Sequence, residues 1–174
     1  MKRIEKLTLA ELASEASLLT KEEKMSMYGG SGPIDGLCAF EAMEILSAYF
    51  GCNYSMNYYQ STFTATYGFS SVYGTSGTGP AIPGPTPSLV NQFMVTQFSA
   101  RNIGITDIET ELGLGRQIMV DLKTGQNFTH AVVITSFDSS TGEYIYRQAG
   151  STGRATPDKI NGAVLLSVSD GYAH

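Results

Sequence analysis

Two thiols and two imidazoles are the side chains best suited to nucleophilic or proton-transfer chemistry here: Cys38, Cys52, His130 and the C-terminal His174. Two cysteines are too few for a disulfide scaffold, and their spacing fits no metal finger. A zinc site would have to gather scattered ligands, so neither a metal nor another cofactor is expected. One cysteine and one histidine can instead share a proton, the thiolate attacking a carbonyl while the imidazole serves as base and then acid. Gln148 is a candidate third member, able to hold the imidazole through its amide oxygen.

Cys38 opens an apolar segment. Asp35 is a natural N-cap and Gly51 a natural C-cap, and between them only Glu41, Glu44 and Ser47 are polar, three residues apart. That composition predicts a largely buried helix with one thin polar stripe. In the first turn the helix macrodipole favours a thiolate, and the backbone N–H groups could donate to an oxyanion. A free cysteine is also commonly a small buried hydrophobe, and helix position alone does not separate the two. Cys38 and Cys52 cannot pair across this helix, since their α-carbons would lie roughly 20 Å apart.

His130 stands at the mouth of the apolar run Ala131-Val132-Val133-Ile134. Such a run reads as a buried strand, with the histidine where core meets loop. The stretch Asp138-Ser139-Ser140-Thr141-Gly142 reads as a turn into Glu143–Gln148. If the hairpin is centred near Ser140, Gln148 returns beside His130, and an even pairing puts both on one face. A strand-end histidine satisfied by the backbone is the competing reading.

The remaining elements must carry these groups. A helix is expected over about 88–100, with Leu89, Phe93, Val95 and Phe98 available for burial, and a short helix over 107–112. Strands are expected at 117–122, 130–137, 144–148 and 163–168. Residues 53–86, rich in Gly, Ser, Thr, Tyr and Pro, read as a long surface excursion with a short strand near Thr62–Thr66. The sum is an α+β domain with an antiparallel sheet. At 174 residues, 42% hydrophobic and 16% charged, the chain can build one sizeable core. A net charge of −5 without a basic cluster argues against a nucleic-acid partner, and no apolar run supports membrane insertion.

The first thirty residues differ from the rest. Leu9, Leu12, Ala13 and Ala16 can share a helix face, and Met27-Tyr28-Gly29-Gly30 ends it sharply. This is either an ordinary helix with a glycine C-cap or a removable leader. The string Leu7-Thr8-Leu9-Ala10-Glu11-Leu12, followed by a Lys/Glu-rich stretch and Gly29-Gly30, resembles the double-glycine leaders of bacteriocin-type precursors. Leu19 and Met27 fit the docking positions of such leaders, whereas Lys24 stands where an apolar residue is common. The resemblance implies a leader over 1–30, cut after Gly30 by the peptidase domain of an ABC transporter, and a secreted domain over 31–174.

Downstream, a cysteine opening a helix, a distant His-plus-apolar strand and a hairpin carrying a polar group resemble the papain-like cysteine peptidases. The segments Ile108–Val120, Thr129–Ile134 and Tyr144–Tyr146 are similar to the bacterial branch whose specialists cut double-glycine leaders. The likeness covers about 31–168, and residues 53–86 match nothing in it. It implies a papain-like α+β fold, and a hydrolase acting on a peptide or protein with Cys38 as nucleophile, His130 as base and Gln148 as orienter. The family usually has a Gln shortly before the cysteine, where this chain has Gly32-Pro33-Ile34-Asp35, and an Asp or Asn where it has Gln148. Asp35 would also work against a thiolate at Cys38. A catalytically inactive interaction or antibacterial protein on the same fold is the alternative, and an exported structural domain is a third.

Overall fold

Strands β2 (Gln117–Lys123) and β3 (Thr129–Asp138) each hold a run of consecutive buried residues, 117–122 and 130–134, because both of their faces are covered. Ile118, Val120 and Leu122 of β2 join Val132 and Ile134 of β3 in one buried cluster. Met119, Ala131 and Val133 point the other way into a second cluster. Period-two alternation thus survives inside an unbroken apolar run. The computed structural model describes residues 37–68, 85–123 and 129–169. In these the remaining strands are β1 (Arg101–Asn102), β4 (Glu143–Gln148), β5 (Ser151–Ala155) and β6 (Ile160–Val168). All pairings are antiparallel, in the order β1-β6-β2-β3-β4-β5.

Three helices, α1 (Cys38–Tyr49), α2 (Met56–Tyr67) and α3 (Pro87–Phe98), supply the cluster on one face of the sheet. Its centre is aromatic: the Phe63 ring lies 5.4 Å from Phe40 and 5.1 Å from Phe93, and Tyr59 lies 5.3 Å from Phe98. The short α4 (Ile108–Gly113) sends Ile108 into the cluster on the opposite face. The architecture is α+β, compatible with the papain-like fold.

Helix α1 departs from the sequence reading in two ways. Leu37 holds the N-cap position with no side-chain cap bond, in place of the expected Asp35, which lies outside the described residues. The helix is also less buried than its apolar composition predicts. Ala39, Phe40, Ala42, Met43, Leu46 and Ser47 are buried, while Glu44, Ala48 and Tyr49 are exposed. Ser47, expected in the polar stripe, is fully buried and accepts a hydrogen bond from Tyr54 N at 2.7 Å. At the far end Gly51 adopts φ +79°, and the bonds Gly51 N to Ala48 O (3.2 Å) and Cys52 N to Ser47 O (2.9 Å) close a Schellman motif.

The short strand expected at Thr62–Thr66 is instead part of α2. Alternating β-branched residues suggested extended chain, but each hydroxyl bonds the carbonyl four residues back: Thr62 to Tyr58 (2.9 Å), Thr64 to Gln60 (2.7 Å) and Thr66 to Thr62 (2.8 Å). With those polar groups satisfied, burial of Tyr59 and Phe63, one helical turn apart, selects the helix. Ser55 caps its start by accepting from Tyr58 N at 3.3 Å. The helix expected over about 88–100 is α3, where Thr86 caps and Pro87 takes the first position; Val90, Phe93, Met94 and Phe98 are buried, but Val95 is 48% exposed rather than in the core.

One charged group is buried beneath β1 and β6. Glu111 accepts from Ser167 Oγ at 2.6 Å and pairs with Arg116 at 2.7 Å and with Arg101. Burial penalises the charged carboxylate, yet the Ser167 and Arg116 hydrogen bonds and the charges of Arg101 and Arg116 outweigh it. The carboxyl therefore titrates below its ordinary value of 4.5. A group with a lower folded pKa contributes stability that is complete above its unfolded value and is lost as pH falls through the folded one. Glu111→Gln is expected to cost about 1–3 kcal/mol at pH 7 and much less near pH 3. Urea unfolding of both proteins at each pH checks this, and an equal cost at both would overturn it.

Candidate functional site

The hairpin β3–β4 brings His130 and Gln148 together by way of an extra residue. Its turn is closed by the pair Asp138↔Glu143, followed by Phe137↔Tyr144 and Ser136↔Ile145. Continued unchanged, that register would set Gln148 opposite Val133, on the face away from His130. The register instead shifts between Ile134 and Ser136, giving Ile134↔Tyr146 and Val133↔Arg147. Thr135 is the inserted residue, and its hydroxyl bonds Ile145 O at 3.3 Å. One further step puts Gln148 opposite Val132, which shares a face with His130. The side chains meet, His130 Nε2 lying 2.9 Å from Gln148 Oε1.

The far end of the hairpin is clamped by charge. Asp138 accepts from the Ser140 hydroxyl (2.6 Å) and amide (3.1 Å) and from Arg154 of β5 (2.8 Å). The Ser140 hydroxyl and Arg154 hold the Asp138 carboxyl well below the usual carboxylate range. Turn and edge strand are thereby tied to one side chain.

Gln148 is held at both ends of its amide. Its Nε2 donates to Ser151 Oγ at 3.0 Å, across the tight β4–β5 turn in which Gly150 takes φ +67°. An amide oxygen only accepts, so the ring atom facing it must carry the proton. That assigns His130 the Nε2–H tautomer and makes the buried Nδ1 the basic nitrogen. Sequence reading found Gln148 but not Ser151, because the strand β5 that carries it, Ser-Thr-Gly-Arg-Ala, has no apolar alternation to announce it.

Cys38 is the first residue of α1 and is partly buried. Strand β4 ends at Gln148, so β3 has no β4 partner at Ala131. The Ala131 N–H donates instead to Cys38 Sγ, at 3.4 Å. A sulfur 3.4 Å from that nitrogen lies within about 6 Å of the His130 α-carbon, by peptide geometry. An amide donor and a helix N-terminus both favour negative charge on the sulfur. The sulfur is thus tied to the residue that follows the histidine, and Gln148 holds the imidazole ring.

The other candidates lie elsewhere. Cys52 is a free thiol at the opposite end of α1, its Sγ 3.9 Å from Phe50 O. Gly29, Gly30 and His174 lie outside the described residues. Among the described residues no three His, Cys, Asp or Glu side chains converge as metal ligands. No described helix is long and apolar enough to cross a membrane.

No curated protein sequence matches the chain. A family model described as the Peptidase_C39 like family matches residues 18–160, a span that contains Cys38, His130, Gln148 and all the strands up to the start of β6. The match covers most of the 174 residues, and the chain belongs to the Peptidase_C39 like family.

Proposed function

We propose that the protein is an exported papain-like cysteine peptidase, made as a precursor with a double-glycine leader and acting on a peptide or protein. The observation that carries this reading is the chain of contacts from Ser151 through Gln148 to His130, with Cys38 sulfur on the next residue's amide. In the proposed reaction His130 Nδ1 takes the Cys38 proton, and the thiolate attacks the scissile carbonyl. The tetrahedral oxyanion is met by the Cys38 N–H at the helix start. The imidazolium then gives its proton to the leaving amine, whose C–N bond breaks to leave a thioester. Water, deprotonated by His130, attacks the thioester, releasing the acid and restoring the thiol.

Reactivity of Cys38 tests this against an inactive protein on the same fold. A free thiol is only about 0.3% ionised at pH 6, from its ordinary pKa near 8.5. Iodoacetamide labelling followed by intact mass is expected to modify Cys38 at least ~10 times faster than free cysteine at that pH. His130→Ala should abolish the excess, Gln148→Leu should reduce it and Gln148→Glu should retain it. Cys52→Ala should change nothing. Labelling at the free-cysteine rate, or a profile unmoved by His130→Ala, would leave the inactive interaction or antibacterial protein as the better reading.

The leader is proposed from Gly29-Gly30 and the amphipathic stretch before them. The family match begins at residue 18, inside that stretch, and favours a second reading in which the segment belongs to the domain. N-terminal sequencing of exported protein separates the two. A start at Ser31 is expected, with Gly30→Val blocking cleavage because a β-branched side chain cannot enter a cleft shaped for glycine. Exported protein that retains Met1 would favour the second reading.

A further inference from the structure

A depression of about 300 Å³ opens beside the candidate dyad. One wall is the outer side of α1, at Ile45 and Ala48; the other is the β4–β5 hairpin, at Arg147, Gln148, Ser151 and Thr152. Gln148 therefore belongs to both the depression and the contact with His130. Arg147 is the single charged side chain of the lining, and no carboxylate lies among the lining residues.

Arg147 stands apart from the other described arginines. Arg101 and Arg116 pair with Glu111, and Arg154 pairs with Asp138 and Glu143. Arg147 makes no ion pair or side-chain hydrogen bond with the described residues. A solvated arginine on an open surface would be unremarked. This one borders a concave site whose lining includes Ala48 and Gly150, with Thr152 directly across from it on β5, in a protein of net charge −5. A guanidinium suits a planar anion, which it can grip through two parallel N–H donors.

We propose that this depression is a substrate subsite for a carboxylate, with Arg147 as the residue that determines specificity. The proposal rests on the peptidase reading above. Ile45 and Ala48 follow Cys38 by seven and ten residues on one helix, or about 10–15 Å along its axis. At about 3.5 Å per extended residue, a peptide bound with its scissile bond at Cys38 would bring the third or fourth residue from that bond into the depression. The carboxylate is either the side chain of Glu or Asp at that position or the substrate's own C-terminus.

Binding can be read without turnover. The full chain carrying Cys38→Ala would be titrated with three probes while NMR follows Arg147 Nε–H and the Ser151 and Thr152 amides. The probes are N-acetyl-tetra-alanine with a free C-terminus, N-acetyl-Ala-Glu-Ala-Ala amide, and N-acetyl-tetra-alanine amide as the neutral control. At least one acidic probe should bind about tenfold or more tightly than the control and shift these signals. Arg147→Gln should erase the difference, and Arg147→Lys should keep part of it. Which acidic probe responds identifies the source of the carboxylate. Equal binding of all three, binding of none, or a preference that survives Arg147→Gln would overturn the subsite. Such a failure is distinct from failure of the peptidase reading, which Cys38 labelling of the wild-type chain reports independently.

Discussion

A β-strand shows each residue to one face only, and β3 must serve both faces and an end. Val132 and Ile134 are needed in one core cluster, Ala131 and Val133 in the other. His130 has to reach Gln148 on the neighbouring strand. The turn at Asp138–Glu143 is fixed by its own hydrogen bonds and ion pairs and imposes the wrong parity for that meeting. The bulge at Thr135 reconciles the two demands. Beyond it, Phe137 and Tyr144 pack with Ile134 and Tyr146 on one face, which an unbulged β3 could not arrange. Inserting or deleting a residue between Thr135 and Tyr146 would separate histidine from glutamine without touching either.

The second constraint is the ending of β4. Because the chain reverses after Gln148, the β4 side of β3 is open at Ala131, and a sulfur fills the place of a carbonyl. An amide that donates to sulfur is not spent on the sheet, and a cysteine that accepts it is fixed at the height of the histidine. Helix α1 can deliver the cysteine there because Ala39, Phe40, Met43 and Leu46 anchor it to the sheet, while its other end is stopped by the Gly51 Schellman motif. Position along the sheet and rotation about the helix axis are thus both set by packing that has nothing to do with chemistry.

The sequence revealed the elements with strong periodicity and missed those set by tertiary contacts. Strands β2, β3 and β4 and helix α3 were legible because apolar spacing and cap residues agree. The helix over Met56–Tyr67 was not, since its threonines look extended until Tyr59 and Phe63 find Phe40 and Phe93. Cys38, His130 and Gln148 stood out as the nucleophile, base and acceptor types. The meeting of His130 and Gln148 was expected from a hairpin centred near Ser140, whereas the geometry comes from an off-centre turn corrected by a bulge. Nothing in Thr135 distinguishes a bulge from a regular strand residue. Ser151 and Arg147 were invisible for a similar reason: their significance lies in what the β4–β5 turn places beside Gln148.

An amide in the third position has a chemical consequence. A carboxylate there would attract the imidazolium, but it would also bring a third titrating group to the pair. The Gln148 oxygen selects the Nε2–H tautomer by hydrogen bonding alone, and Ser151 holds the far end of the amide. Negative charge on the sulfur is then supported by the Ala131 N–H and the start of α1, both fixed in the fold. Neither can be protonated or deprotonated near neutral pH, and Gln148 brings no titrating group to Nε2. Replacing Gln148 by Glu would introduce such a group, and the pair would become a coupled set of three.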